Sequence, residues 1–188
     1  MFAHFEIEGL EHLKEINPPI IVIANHKSYL DPFVLGCAIP WRSRILPLRY
    51  LTVKDAYGVS PIIKYILKGF GTVEFDPEHR IGGTRTALRL FKKGQSIGIF
   101  PWGTRAKSEN EILAFREGTE SFGKLDASIL PAVIIGTFRE GEGVASWFRK
   151  AWQFFCRQYH IKVVFGELIY DHIEENYIAL HNTITNPK

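Results

Sequence analysis

The chain has 188 residues, 46% of them hydrophobic and 23% charged, which is ordinary for one globular domain with a substantial core. Its formal charge of +3 comes from interspersed residues, 23 Lys and Arg against 20 Asp and Glu, which argues against a nucleic-acid stripe or basic tail. No apolar run approaches the ~20 residues that span a bilayer, and Met1–Glu6 lacks the charged and apolar regions of a signal peptide. Cys37 and Cys156 offer neither a metal-ligand spacing nor a disulfide framework, which favours a reducing compartment.

In chain order, short apolar runs alternate with longer amphipathic stretches, the pattern of an α/β fold. The pattern predicts strands over Ile20–Ala24, Arg44–Leu48, Thr72–Phe75, Ser96–Phe100, Ile129–Ile135 and Ile161–Phe165. It predicts helices over Pro32–Ile39, Pro61–Leu67, Gly83–Lys93, Phe115–Gly123, Val144–Gln158 and Asp171–Leu180. Several strands are apolar throughout, as expected where helices cover both faces of a sheet. The reading is a single domain, 1–188, built on a mixed, mostly parallel sheet of about six to seven strands flanked by helices. Lys107–Glu111 reads as an exposed loop, and the tail from His181 to Lys188 as a segment that frays.

The first strand runs directly into Asn25-His26-Lys27-Ser28-Tyr29-Leu30-Asp31. A strand exit is where a side chain can be held at a sheet edge and still meet a substrate. Residues five apart on a helix are rotated by roughly 140°, so His26 and Asp31 can touch only if His26 lies in the loop and Asp31 at the helix start. Pro32 supports that start, because proline is well tolerated in the first helical turn. It equally supports a plainer reading, with Asp31 as an N-cap and His26 as a loop residue.

Three further blocks follow. Phe100-Pro101-Trp102-Gly103-Thr104-Arg105 leaves another apolar strand, with a glycine for close approach, a hydroxyl and a guanidinium fork suited to phosphate or carboxylate. Alone it is equally a turn with a surface arginine. Lys54-Asp55 precedes a helix, a glycine turn and the strand Gly71–Asp76. Pro131 lies in the apolar run Ile129–Gly136, on pattern alone a core strand.

Together and in order, these blocks resemble the glycerolipid acyltransferase superfamily typified by PlsC-type lysophosphatidate (1-acylglycerol-3-phosphate) acyltransferase, over roughly Ile20 to Ile169. The resemblance implies transfer of a fatty acyl group from acyl-CoA or acyl-carrier protein to a lysolipid hydroxyl, with no metal and no cofactor. It implies His26 as general base and Asp31 as the acid that orients it. Asn25, Lys54, Arg80, Trp102, Gly103, Thr104 and Arg105 become the substrate-binding set, with backbone N–H groups near Lys54, or its ammonium, facing the oxyanion. Trp102 stands where the family usually carries glutamate, which brings other lyso-acceptors close behind lysophosphatidate. The family's usual arginine after the second-block aspartate is replaced by Pro77, with Arg80 as the nearest substitute. The implied setting is cytoplasmic, peripheral on the inner face of a membrane.

Membrane contact is expected through Val144–Arg157, where Trp147, Phe148, Ala151, Trp152 and Phe155 share a broad helical face beside Arg149, Lys150 and Arg157. A core-packing helix with a basic edge fits the same pattern. A non-catalytic lipid-binding module on the same fold is the alternative function, and a thioester hydrolase a third.

Overall fold

A computed structural model describes residues 4–14, 16–53, 61–75, 82–108, 111–116, 119, 122, 127–138 and 160–185. Its strands are β1 (His4–Glu8), β2 (Ile21–Ala24), β3 (Arg49–Val53), β4 (Thr72–Phe75), β5 (Ile97–Ile99), β6 (Ile129–Ile135) and β7 (His160–Phe165). Its helices are α1 (Asp31–Ala38), α2 (Pro61–Gly69), α3 (Gly82–Lys92) and α4 (Ile173–Thr185), with a 3-10 turn at Leu10–Leu13. The strands form one seven-stranded sheet in the order β1-β7-β6-β2-β5-β3-β4. Neighbours pair in parallel except β6 and β7, so β1 and β7 run opposite to the other five.

The alternation of β2 explains the layering. Ile20, Val22 and Ala24 face one way, onto Val34, Leu35 and Ala38 of α1. Ile21 and Ile23 face the other, onto Ala87 of α3 and Ile173 and Tyr177 of α4. A strand covered on both faces must be apolar at every position, and each residue from Ile20 to Ala24 is at most 1% exposed. Each such isoleucine contributes ~1.5–3 kcal/mol by burial, which anchors the strand that feeds the loop.

Most predicted elements lie within two residues of their observed bounds; three differ and one strand was not expected, each for a physical reason. The strand expected at Arg44–Leu48 lies instead at Arg49–Val53. Pro47 has no N–H to give a ladder, and Ile45 and Leu48 are apolar because they enter the core from a loop. β1 was not expected; its exposed His4, Glu6 and Glu8 alternate with the half-buried Phe5 and Ile7, so half of the edge strand reads as polar surface.

The helix expected at Phe115–Gly123 does not begin there. The Phe115 amide donates to Glu174 Oε1 at 2.9 Å and the Arg116 amide to the Pro101 carbonyl at 2.9 Å. The C-terminal helix starts late because His172 adopts a left-handed backbone, φ 44°. It then continues through the segment expected to fray, as far as Thr185, whose hydroxyl donates to the His181 carbonyl at 2.8 Å. In the loop after Arg105, Lys107 and Ser108 are exposed as expected, with the Lys107 amide bonded to the Glu111 carboxylate. Val144–Arg157, with Cys156, lies outside the described residues, as do Lys54, Asp55, Asp76 and Arg80.

Candidate active site

Parallel pairing brings the first and third blocks side by side. The β2–β5 register ends at Ile23 opposite Ile99, so Asn25-His26 and Phe100-Pro101 leave the same end of the sheet as neighbours. The Ala106 amide then donates to the His26 carbonyl at 2.8 Å, tying the two loops together.

Asn25 ends β2 without leaving polar groups stranded. Its side-chain amide donates to the Ile134 carbonyl and its side-chain oxygen accepts from the Ile134 amide, both at 2.7 Å. This side chain does the work of one more ladder residue while the backbone turns away. Asn25 is 0% exposed, so in this structure its side chain is spent on Ile134.

The backbone turns around Asp31. One carboxylate oxygen, Oδ2, accepts from the Lys27 amide at 2.6 Å, from the Ser28 amide at 2.7 Å and meets His26 Nδ1 at 2.9 Å. Asp31 stands at the head of α1 but makes no capping bond into it; it closes the loop behind it instead. The Asp31 side chain is fully buried and the His26 side chain 20% exposed, so the carboxylate is sheltered while the ring edge reaches solvent. A carboxylate accepting from Nδ1–H fixes the tautomer and leaves Nε2 as the acceptor.

The ring plane is held as well. The imidazole stacks on Phe100, with centroids 4.4 Å apart and planes 24° apart, and Phe100 stacks on Tyr50 at 6.2 Å. Tyr50 fits because Gly98 of β5 has no Cβ, which would run into the Tyr50 ring. Burial pushes the Tyr50 hydroxyl well above the usual phenol range.

Behind the loop, α4 closes the floor. Tyr177 is fully buried and donates to the Ala132 carbonyl at 3.1 Å. Its hydroxyl is pushed far up, first by burial, against a lowering from the Asn25 backbone, with a lesser raising by the Asp31 charge. His181, also fully buried, is lowered to about 4, first by burial and then by the buried Lys27 ammonium. Sequence reasoning missed both residues. Tyr177 follows Ile173 by four, a spacing that marks a helix face but no partner.

Trp102 does not line an open pocket. It is 2% exposed, its ring centroid lies 6.2 Å from that of His181, and its Nε1 is buried without a hydrogen-bond partner among the described residues. Its indole packs inward toward α4. Gly103 and Thr104 are exposed beyond it. Gly103 has φ +62°, and a Cβ there would meet the Arg116 side chain, so the tight turn requires glycine. Arg105 is half-buried over the Tyr29 ring, 3.9 Å from its centroid.

Among the described residues, no cluster of three or more His, Cys, Asp or Glu could hold a metal ion, and no helix is long and apolar enough to cross a membrane.

The fold is similar to that in the crystal structure of the 1-acyl-sn-glycerophosphate acyltransferase PlsC from Thermotoga maritima. The TM-score is 0.70 at 17% identity, over 99% of this chain and 74% of that one. In sequence, the chain is 29% identical over 140 residues to the chloroplastic 1-acyl-sn-glycerol-3-phosphate acyltransferase LPAT1 of Arabidopsis thaliana, covering 72% of this chain and 37% of the relative. It is 28% identical over 172 residues to a probable enzyme of the same name from Mycoplasma genitalium (86% and 62%), and 31% identical over 140 residues to that of Saccharomyces cerevisiae (70% and 43%). The chain thus spans between 37% and 62% of the length of these curated relatives. The acyltransferase family matches residues 4–135, which includes β1 through β6 and both loops around His26. On that match the chain belongs to the acyltransferase family.

Proposed function

We propose that the chain moves a fatty acyl group from the thioester of acyl-CoA or acyl-carrier protein to the free hydroxyl of 1-acylglycerol-3-phosphate. The observation that carries this reading is the 2.9 Å contact of His26 Nδ1 with the buried Asp31, with the rest of the imidazole held at a partly open edge. An alcohol is a weak nucleophile until its proton leaves. His26 Nε2 takes that proton as the oxygen attacks the thioester carbonyl carbon, a role worth typically 10²–10⁴-fold. The tetrahedral oxyanion collapses, the carbon–sulfur bond breaks, and the imidazolium returns the proton to the departing thiolate. The products are the diacyl lipid and a free thiol. Asp31 stays ionised, stabilising the imidazolium and holding the ring, as the acid does in a serine hydrolase.

Arg105 supports a phosphate-bearing acceptor, because its fork matches phosphate oxygens. Lys54 and Arg80 join it as candidate contacts for the oxyanion and the phosphate, with Gly103 and Thr104 at the acceptor's approach. A lipid acceptor puts the reaction at a membrane surface, and the cytoplasmic face is the side where both donors are made available. The relatives' names favour lysophosphatidate over other lyso-acceptors.

The test is turnover of acyl-CoA and acyl-carrier protein by the purified full chain against a panel of lyso-acceptors, read as free thiol and as new lipid. His26→Ala abolishes transfer while lipid binding persists; retained turnover overturns the mechanism. Thiol release without any acceptor makes the protein a hydrolase, and lipid binding without turnover makes it a binding module.

A further inference from the structure

Arg105 is separated from Tyr29 by 76 positions, yet the two make a double contact. The guanidinium carbon lies 3.9 Å from the Tyr29 ring centroid, and Arg105 Nη2 donates to the Tyr29 hydroxyl at 3.2 Å. Tyr29 is not a neutral platform. It sits between His26 and Asp31 in the loop that folds around the Asp31 carboxylate, whose two amide bonds at Lys27 and Ser28 fix the backbone just before it. A second tie, the Ala106 amide on the His26 carbonyl at 2.8 Å, joins the residue after Arg105 to the same loop.

We propose that Tyr29 is a positioning residue that fixes the anion-binding guanidinium of Arg105 at a set distance from the His26 imidazole, so that base and acceptor phosphate are held by one rigid loop. This rests on the reading of Arg105 as the phosphate contact given above. Tyr29 meets the guanidinium through its ring and takes one N–H at Nη2, whereas phosphate is recognised through the several N–H donors of the fork, so the two interactions are compatible. Arginine on a flexible stem loses rotamer freedom when it captures a ligand; one already stacked has lost most of it beforehand. The consequence falls on the acceptor, since the ring and hydroxyl contacts of Tyr29 described above both run to Arg105.

The experiment is steady-state kinetics of the full chain with 1-acylglycerol-3-phosphate and a thioester donor, comparing Tyr29→Phe, Tyr29→Leu, Tyr29→Met and Arg105→Ala. Tyr29→Leu and Tyr29→Met raise the acceptor KM by roughly threefold to thirtyfold, the range of a cation–π contact, and leave the donor KM in place. Tyr29→Phe keeps the aromatic face and restores the acceptor KM to within about threefold of the parent. Adding Tyr29→Met to Arg105→Ala raises the acceptor KM no further than Arg105→Ala alone. If Tyr29→Leu fails to fold, as circular dichroism would report, Tyr29→Met of similar bulk carries the comparison.

Two outcomes separate the readings. Absence of any turnover of lysophosphatidate by the parent chain sinks the proposed activity, and the positioning role with it. Turnover that depends on Arg105 but is indifferent to Tyr29→Met, or additive effects in the double variant, overturns the role of Tyr29 and leaves the activity standing.

Discussion

Asn25 and Ile134, 109 positions apart, exchange two hydrogen bonds of 2.7 Å, one in each direction, between a side-chain amide and a backbone peptide. Asn25→Ala would strand the buried N–H and C=O of Ile134, and Asn25→Asp would aim a carboxylate at that carbonyl. Each unsatisfied buried group costs ~1–3 kcal/mol, so both variants lose about 2–4 kcal/mol in denaturant unfolding, with Asn25→Asp the worse of the two. An unchanged midpoint for both would show that this pairing contributes nothing to stability.

His26 and Asp31 separate by their effect on stability. Asp31 anchors two backbone amides as well as the ring, so Asp31→Ala lowers the melting temperature and slows transfer together. His26→Ala removes transfer with a shift of no more than about 1 kcal/mol, because its ring is partly exposed and its backbone carbonyl still accepts from Ala106. Thermal melts beside turnover assays check the contrast.

Gly98→Ala tests the stack of rings that carries the imidazole. The new methyl would press on Tyr50, which packs against Phe100, which packs against His26. Overpacking of this kind costs typically 1–3 kcal/mol, and displacement of Phe100 lowers kcat as well. Tyr50→Leu in the same chain relieves the collision. Recovery of stability in the double variant is the expected result; equal damage with and without Tyr50 would locate the effect elsewhere.

His181 predicts how stability depends on acidity. Its value near 4 in the fold lies below the ~6.5 of an exposed histidine, so the unfolded chain binds the extra proton first. Stability from this group is present above pH ~6.5 and is lost as pH falls from there toward about 4, by on the order of 2 kcal/mol. Urea unfolding of the parent and of His181→Gln across that window checks this. The parent loses more stability on acidification than the variant, and parallel curves would refute it.

The chain's alternation of apolar runs and amphipathic stretches made the sheet legible, because β2 and β6 are buried on both faces and have no choice but to be apolar. The edge strand β1 was not legible, since its exposed positions carry His4, Glu6 and Glu8 and look like surface. At the site, spacing and a helix-starting proline allowed His26 to meet Asp31 but equally a plain cap, and the 2.9 Å contact decides for the pair. They did not show that Asn25 and Trp102 face inward, onto Ile134 and toward His181. Nor could local spacing reveal Tyr29 beneath Arg105, or Tyr177 and His181 beneath the loop. Those contacts cross strands, and only the fold brings them together.

The placement of β2 also sets an order of events during folding. The His26–Asp31 contact closes over five residues and needs only its own loop. The walls around it come from Ser96, 76 positions beyond Ile20, and from Ile134, 109 beyond Asn25. Closing loops of that length is slow relative to local turns. The histidine–acid contact thus rests on neighbours in sequence, whereas the shelter around it depends on the completed sheet.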